Sequence, residues 1–240
     1  MEKFNISIFN KNLKTSYIGK KIIYLDRIDS TNSFASRIET NIDMNTKYKS
    51  KPVSTNSSVV SNIKLNKAEE LNGLIILSEI QKKGRGRFNR KWVSPAGGLW
   101  FTIVLKTNIQ EKDLPKITLL SSISIVEVLE KDYKIDVKIK WPNDIYYNNF
   151  KLCGILCETE KIDSLIFLNI GAGLNVNNST DEGYFDDIKA ISIKSILGKD
   201  VLREILLAKI LKIFENNYKY YLKSGDFQKI FNKIKNHLIL

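Results

Sequence analysis

Histidine is almost missing from these 240 residues: His237, close to the end, is the only one. A histidine general base, a Ser–His–Asp triad and a Cys–His pair are therefore set aside. Cysteine is nearly as scarce. Cys153 and Cys157 lie four apart in an apolar run, a spacing that makes neither a CxxC redox pair nor a metal clip, so both are expected as small core residues. With a single histidine beside them, they are too few soft ligands for a structural zinc site. No apolar run approaches the roughly 18 residues that cross a bilayer. The start, MEKFNISIFNKNLK, is polar and broken by asparagines, and lacks the apolar stretch of a secretory signal. No internal repeat is visible. A cytoplasmic, reduced protein away from any membrane is the expectation.

What is abundant is positive charge. Lys and Arg exceed Asp and Glu by 12, which suits a polyanion, an acidic protein partner or a phosphate-bearing substrate. The lysines are scattered along the chain, so a solvated surface accounts for the excess equally well. Apolar residues make up 43% and charged ones 27%, a globular composition with length enough for a sizeable core.

Continuous apolar runs alternate with turn signals. KIIYL (21–25), GLIILSE (73–79), GLWFTIVLK (98–106), VKIKW (137–141), KLCGILCE (151–158) and SLIFLNIGAGLNV (164–176) read as strands. Helices are expected over 29–39 behind a Ser30 or Thr31 cap, from Asp113 and Pro115 to about Lys131, from Asp200 to Tyr221 with Gly225 ending it, and over 226–238. Residues 41–70 are polar and low in aromatics, and are expected to form a mobile surface insertion. Strands in the middle and helices on either side predict an α+β fold with a mixed sheet core.

Three segments carry chemistry. GRGRFNRKW (84–92) follows a strand: Gly84 and Gly86 allow close backbone approach and positive φ, Arg85 and Arg87 offer forked donors to carboxylate or phosphate, and Trp92 gives a flat face for a purine. A solvated basic turn with a buried tryptophan is the plain alternative. KWPND (140–144) ends a strand at Pro142, sets Asn143 and Asp144 at a turn, and is followed by Lys151 and the glycine Gly154 inside an apolar strand; an ordinary hairpin would read the same way. GAGLNVN (171–177) exposes backbone at Gly171 and Gly173 and adds Asn175. A site of Arg, Lys, Asn and Gly favours work on phosphate, where positioning and charge stabilisation outweigh an internal base.

DSTN (29–32), QKKGRGRFNRKWVSPAGG (81–98), KWPNDIYYNNFKLCGIL (140–156) and GAGLNVN (171–177), in this order, resemble the signature set of biotin–protein ligases over about residues 20–180. The resemblance implies a mixed α+β sheet fold related to class II aminoacyl-tRNA synthetases and lipoate ligases. It implies a monofunctional catalytic domain spanning 1–240, without an N-terminal DNA-binding helix-turn-helix, and with the small SH3-like C-terminal domain absent or reduced. The implied reaction has two steps: biotin attacks the α-phosphate of Mg-ATP to give biotinyl-5′-AMP, then a lysine of a biotin carboxyl carrier domain takes the biotin and releases AMP.

By resemblance, Ser30, Thr31, Asn32 and Gln81 hydrogen-bond the ureido head of biotin, while Gly154, Ile155 and Leu156 line its ring and tail. The loop Gly84, Arg85, Gly86, Arg87 covers the adenylate, and Lys151 bridges the biotin carboxylate and α-phosphate as the main catalytic residue beside Arg85 and Arg87. Trp92 and Asn143 fall on the adenine side, and Asp144 and Asn175 on the phosphate side. The protein alone supplies no metal site; Mg²⁺ comes with ATP, near Asp144. Monomer and homodimer both stay open, as does a lipoate or octanoate–protein ligase or transferase on the same fold, or, more remotely, a basic nucleic-acid-binding module. One departure stands inside the loop: Asn89 occupies the position of a family glycine, and Asn tolerates the left-handed region better than most residues.

Overall fold

The computed structural model describes residues 2–40, 59–60, 68–180, 189–233 and 235–239. Ten strands form one mixed sheet. In chain order they are β1 (Ile22–Ile28), β2 (Val59–Val60), β3 (Leu74–Arg85), β4 (Lys91–Ser94), β5 (Leu99–Thr107), β6 (Lys138–Lys140), β7 (Asp144–Tyr147), β8 (Phe150–Ile162), β9 (Leu165–Leu174) and β10 (Leu238–Ile239). The spatial order is β10-β6-β7-β8-β9-β5-β3-β1-β2, with β4 attached to β3. Only β1–β3 and β10–β6 run parallel. Two-residue turns close the β7–β8 and β8–β9 hairpins, and Asn148 and Asp163 take the left-handed φ such turns require.

Helices cover both faces. The larger core packs α1 (Ile6–Asn12), α3 (Leu114–Tyr133) and α5 (Arg203–Ser224) on one side of the sheet. On the other side a smaller core packs α2 (Thr31–Thr40) with the 3-10 turn Ala68–Leu71. The helix α3 is buried on most of its circumference. Its buried hydroxyls donate to carbonyls one turn back, Ser121 to Ile117 and Ser124 to Leu120, which satisfies them without a partner outside the helix. At the end of α5, Gly225 takes φ 64 as an αL cap. The short helices α4 (Ile193–Leu197) and α6 (Phe227–Asn232) complete the chain.

The α+β sheet fold, the central strands and the two long helices agree with the sequence reading. Four details differ. The helix expected over 226–238 stops at Asn232, and the chain returns as strand β10 beside β6. Asp200 pairs with Lys194 instead of capping α5. Asn5, read as a breaker, caps α1 by accepting from Ser7 and Ile8. The basic segment is no open loop, because β3 continues to Arg85 and pairs with β4 as a ribbon whose tip spans residues 86–90. The mobile insertion expected over 41–70 lies outside the described residues, apart from β2 and the turn at Ala68–Leu71.

Candidate active site

The start of α2, the β3–β4 ribbon, the first residues of β7 and the strands β8 and β9 enclose a cleft of ≈ 140 Å³. Of the expected site residues, Ser30, Thr31, Asn32, Gln81, Arg85, Gly86, Arg87, Trp92, Asn143, Asp144, Lys151, Gly154, Ile155 and Leu156 all line it. Gly84 and Asn175 do not. Gly84 faces Trp92 across the ribbon, and a Cβ there would collide with the Trp92 carbonyl, so this glycine lets β4 close on β3. Asn175 is fully buried; its backbone N–H donates to Leu152, and its side chain accepts from Asn178 and donates weakly to the Lys151 carbonyl at 3.5 Å. It holds the backbone that carries Lys151.

One end of the cleft is uncharged and already organised. Gln81 Oε1 accepts from the backbone N–H and hydroxyl of Thr31 (2.8 and 3.1 Å), and its Nε2 donates to Ser94 at 2.9 Å. Thr102 of β5 donates to Asn32 Oδ1 at 2.6 Å and lies 2.9 Å from Thr31 Oγ1. The Asn32 amide donates to the Leu156 carbonyl at 3.2 Å and to Glu158 at 2.8 Å. Both its N–H bonds are therefore used by the protein, and what Asn32 still offers a ligand is the second lone pair of Oδ1. One N–H of Gln81 is likewise left over. A buried polar end of fixed donors and acceptors selects a ligand head that matches it, because any mismatch leaves a group unpaired.

The other end is basic. Arg85, Arg87, Arg90, Lys91 and Lys151 line the cleft, and Asp144 is the one carboxylate among its lining residues. A chain of contacts orders this end: Arg87 donates to Asn143 Oδ1 (3.1 Å), Asn143 donates to Asp144 Oδ1 (2.8 Å), and Lys151 Nζ lies 2.7 Å from Asp144 Oδ2. The Lys151 ammonium also stands 5.3 Å from the centre of the Trp92 ring, a cation–π contact. Five cations outnumber the carboxylates of Asp144 and of Glu158, which pairs with Arg85, and in a recess with low-dielectric walls that excess concentrates potential for an anion.

The glycines have a different task from the one read in sequence. Gly154 and Gly173 face each other across β8 and β9, and Trp92 lies over the pair: a Cβ on Gly173 would collide with the indole, and one on Gly154 would come within 3.0 Å of it. A Cβ on Gly171 would collide with the Asn32 amide. These glycines seat the tryptophan and the asparagine that line the cleft. Trp92 is in consequence largely buried and forms floor. Within the ribbon tip, Gly86 has extended φ (−111) that any residue adopts, and the left-handed residue is Phe88 (φ 57), one before Asn89. Neither Gly86 nor Asn89 is the residue that needs tolerance of positive φ.

Sequence reasoning missed Glu158, Thr102 and Ser94. Glu158 stands two residues after Leu156 in β8, on the same face by the period of two, and that alternation was the available signal. The lone histidine, His237, pairs with Glu130 at 3.0 Å and is no part of the cleft. The Cys153 thiol is fully buried, and burial pushes its pKa up; Cys157, also pushed up by burial to about 12, packs against the same core. Both are free; Cys153 is the core residue expected, while Cys157 is only partly buried at the edge of that core.

A mixed sheet with helices on both faces thus holds a recess lined by amides and hydroxyls at one end and by cations at the other. Residues 49–175, more than half of the chain, match the biotin/lipoate A/B protein ligase family, and the chain belongs to that family. Its sequence is 32% identical over 217 residues to the bifunctional ligase/repressor BirA of Bacillus spizizenii, covering 89% of this chain and 58% of that protein. It is 30% identical over 229 residues to biotin–protein ligase 2 of Arabidopsis thaliana, covering 92% and 60%. The fold matches the biotin protein ligase from Aquifex aeolicus in complex with biotin and ATP at a TM-score of 0.67 and 28% identity, covering 92% of this chain and 79% of that one. The chain thus spans about three fifths of the length of these two sequence relatives. No helix among the described residues is long and apolar enough to cross a membrane.

Proposed function

We propose that the protein is an ATP-dependent biotin–protein ligase of the cytoplasm, which activates biotin as biotinyl-5′-AMP and transfers it to a lysine of a biotin carboxyl carrier domain. The observation that carries this reading is the joining, in one cleft, of an organised polar end, where Asn32 keeps an acceptor lone pair and Gln81 an N–H for a ligand, with a cationic end around Lys151, Arg85 and Arg87. The first suits an uncharged ureido head, and the second a carboxylate meeting a triphosphate.

In the first step a carboxylate oxygen of biotin attacks the α-phosphorus, the bond to the bridging oxygen breaks, and pyrophosphate leaves. Negative charge gathers between two anions that repel each other. Lys151, held by Asp144 and lying over Trp92, is placed to bridge them, and Arg85 and Arg87 neutralise the phosphates. Mg²⁺ would arrive with ATP. Asp144 already takes Lys151 on one oxygen and Asn143 on the other, so the cleft by itself has no ligand set for an ion. In the second step the neutral amine of the acceptor lysine attacks the acyl carbon, AMP leaves with the bonding pair, and the new amide nitrogen loses a proton. The cleft has no histidine to take that proton.

The test is ATP–pyrophosphate exchange with biotin, with lipoate or with octanoate, followed by transfer to a carrier domain. Biotin-dependent exchange is the expected result. Exchange with lipoate or octanoate alone would move the protein to another branch of its family. Salt-sensitive nucleic-acid affinity without any exchange would overturn the enzyme reading.

A further inference from the structure

We propose that Glu158 is a positioning residue that couples the two ends of the cleft, so that a ligand bound at one end strengthens binding at the other. Its Oε2 accepts from Asn32 Nδ2 at 2.8 Å and from Arg85 Nη2 at 2.9 Å. One carboxylate oxygen therefore joins the asparagine of the polar end to an arginine of the cationic ribbon, although neither β3 nor α2 pairs with β8 in the sheet.

The linkage is built to transmit order. Asn32 is buried, its Oδ1 is fixed by Thr102 and its other N–H by the Leu156 carbonyl, so its amide has a single orientation and Glu158 is held from below. Arg85 is two-fifths exposed and sits at the end of β3, where the ribbon tip begins. The same oxygen thus has one buried partner and one that faces solvent in part. Glu158 gives Arg85 an anchor that uses one of its five N–H donors and leaves the rest to phosphate. A ligand that packs against Asn32 excludes water from the Asn32–Glu158–Arg85 contacts and strengthens them, which lowers the ordering cost of Arg85 on the incoming nucleotide. By linkage the nucleotide returns the same factor to the first ligand.

This inference rests on the proposed function, and its test separates the two. Biotin binding to the full chain is titrated by calorimetry with and without α,β-methylene-ATP, whose α–β bridge does not break, and Mg²⁺, for the wild type, Glu158→Gln and Glu158→Asp. The glutamine keeps size and one acceptor but loses the charge that holds Arg85. In the wild type the analogue is expected to tighten biotin binding about tenfold, within the usual range for coupled sites. In Glu158→Gln the factor is expected to fall below about twofold while biotin alone binds within about threefold of wild type, and Glu158→Asp is expected to recover part of the coupling. A merely structural Glu158 would weaken biotin alone and leave the coupling factor unchanged. Equal coupling in the wild type and Glu158→Gln, or none in the wild type, overturns the inference while leaving the proposed function standing. Failure of the wild type to bind biotin overturns both.

Discussion

Lys151→Ala is the substitution that tests the catalytic geometry most directly. The ammonium and the Asp144 carboxylate are 2.7 Å apart with side chains 14% and 18% exposed, so both charges are mostly withdrawn from water. At an effective dielectric constant near 20, a unit charge about 4 Å from a developing anion contributes about 4 kcal/mol. If most of that interaction arises only as the two anions meet, its loss slows adenylate formation about 10³-fold. The same substitution leaves Asp144 without its cation, a cost of about 1–3 kcal/mol of stability, since Asn143 still donates to its other oxygen. The double variant Lys151→Ala/Asp144→Ala removes the orphaned acid and separates the effects: its unfolding midpoint should move back towards wild type while exchange stays lost. The assay is biotin-dependent ATP–pyrophosphate exchange on variants shown folded by their denaturant transitions. Exchange by folded Lys151→Ala within about tenfold of wild type would refute the role given to this side chain.

Three other perturbations test the frame around the site. Gly173→Ala puts a methyl group into the Trp92 indole on a strand paired on both sides, to Trp100 and to Gly154; a loss of about 1–3 kcal/mol and lower exchange are expected, and an unchanged urea midpoint would count against the glycine seat. Arg203→Met removes the cation from a buried pair in which Arg203 and Glu79 are 5% and 9% exposed, leaving Glu79 with Tyr24 and the Phe4 N–H. That should cost about 3–5 kcal/mol, measured by chemical denaturation, and a loss below about 1 kcal/mol would contradict it. Glu39, near the end of α2, is buried, and burial first, with the nearby Glu160 adding to it, raises its pKa to about 7 against a hydrogen bond from Asn169 that lowers it. A raised acid pKa means the folded state holds the proton more tightly, so this stabilisation is complete below pH 4.5 and lost as pH rises through about 7. It amounts to about 3 kcal/mol. Glu39→Gln should lack that decline, and parallel stability curves for the two proteins between pH 4.5 and 8 would sink the assignment.

The central strands could be read from sequence because both faces of their sheet are covered, which turns GLIILSE, GLWFTIVLK and SLIFLNIGAG into unbroken apolar runs. Most short elements could not. VKIKW announces β6, but β7 and β10 have four and two residues and exist through their pairings, which no local pattern announces. The N-terminal segment is fixed by acids far away in sequence: Glu204 accepts from the Asn5 N–H, and Glu215 accepts from Ser16, Tyr17 and Ile18. In the sequence those glutamates are ordinary polar positions of a long amphipathic helix.

The candidate site divides the same way. Lys151, Arg85, Arg87, Gln81 and Asn32 stand in motifs whose order and spacing survive in one chain, and the fold brings them to one cleft. What spacing could not convey is which groups the ligand would find free. Asn32 looks like an amide ready for a ligand, yet both its N–H bonds are used by Leu156 and Glu158. Gly154, Gly171 and Gly173 look like backbone bared for a ligand, yet they make room for Trp92 and Asn32. All four line the cleft, and each also shapes a neighbour. A glycine pair seats a tryptophan, the tryptophan underlies Lys151, and a glutamate two positions beyond the motif holds both Asn32 and Arg85. A motif therefore reports residues that stand together without reporting which of them pack against one another, and those contacts come from strand register.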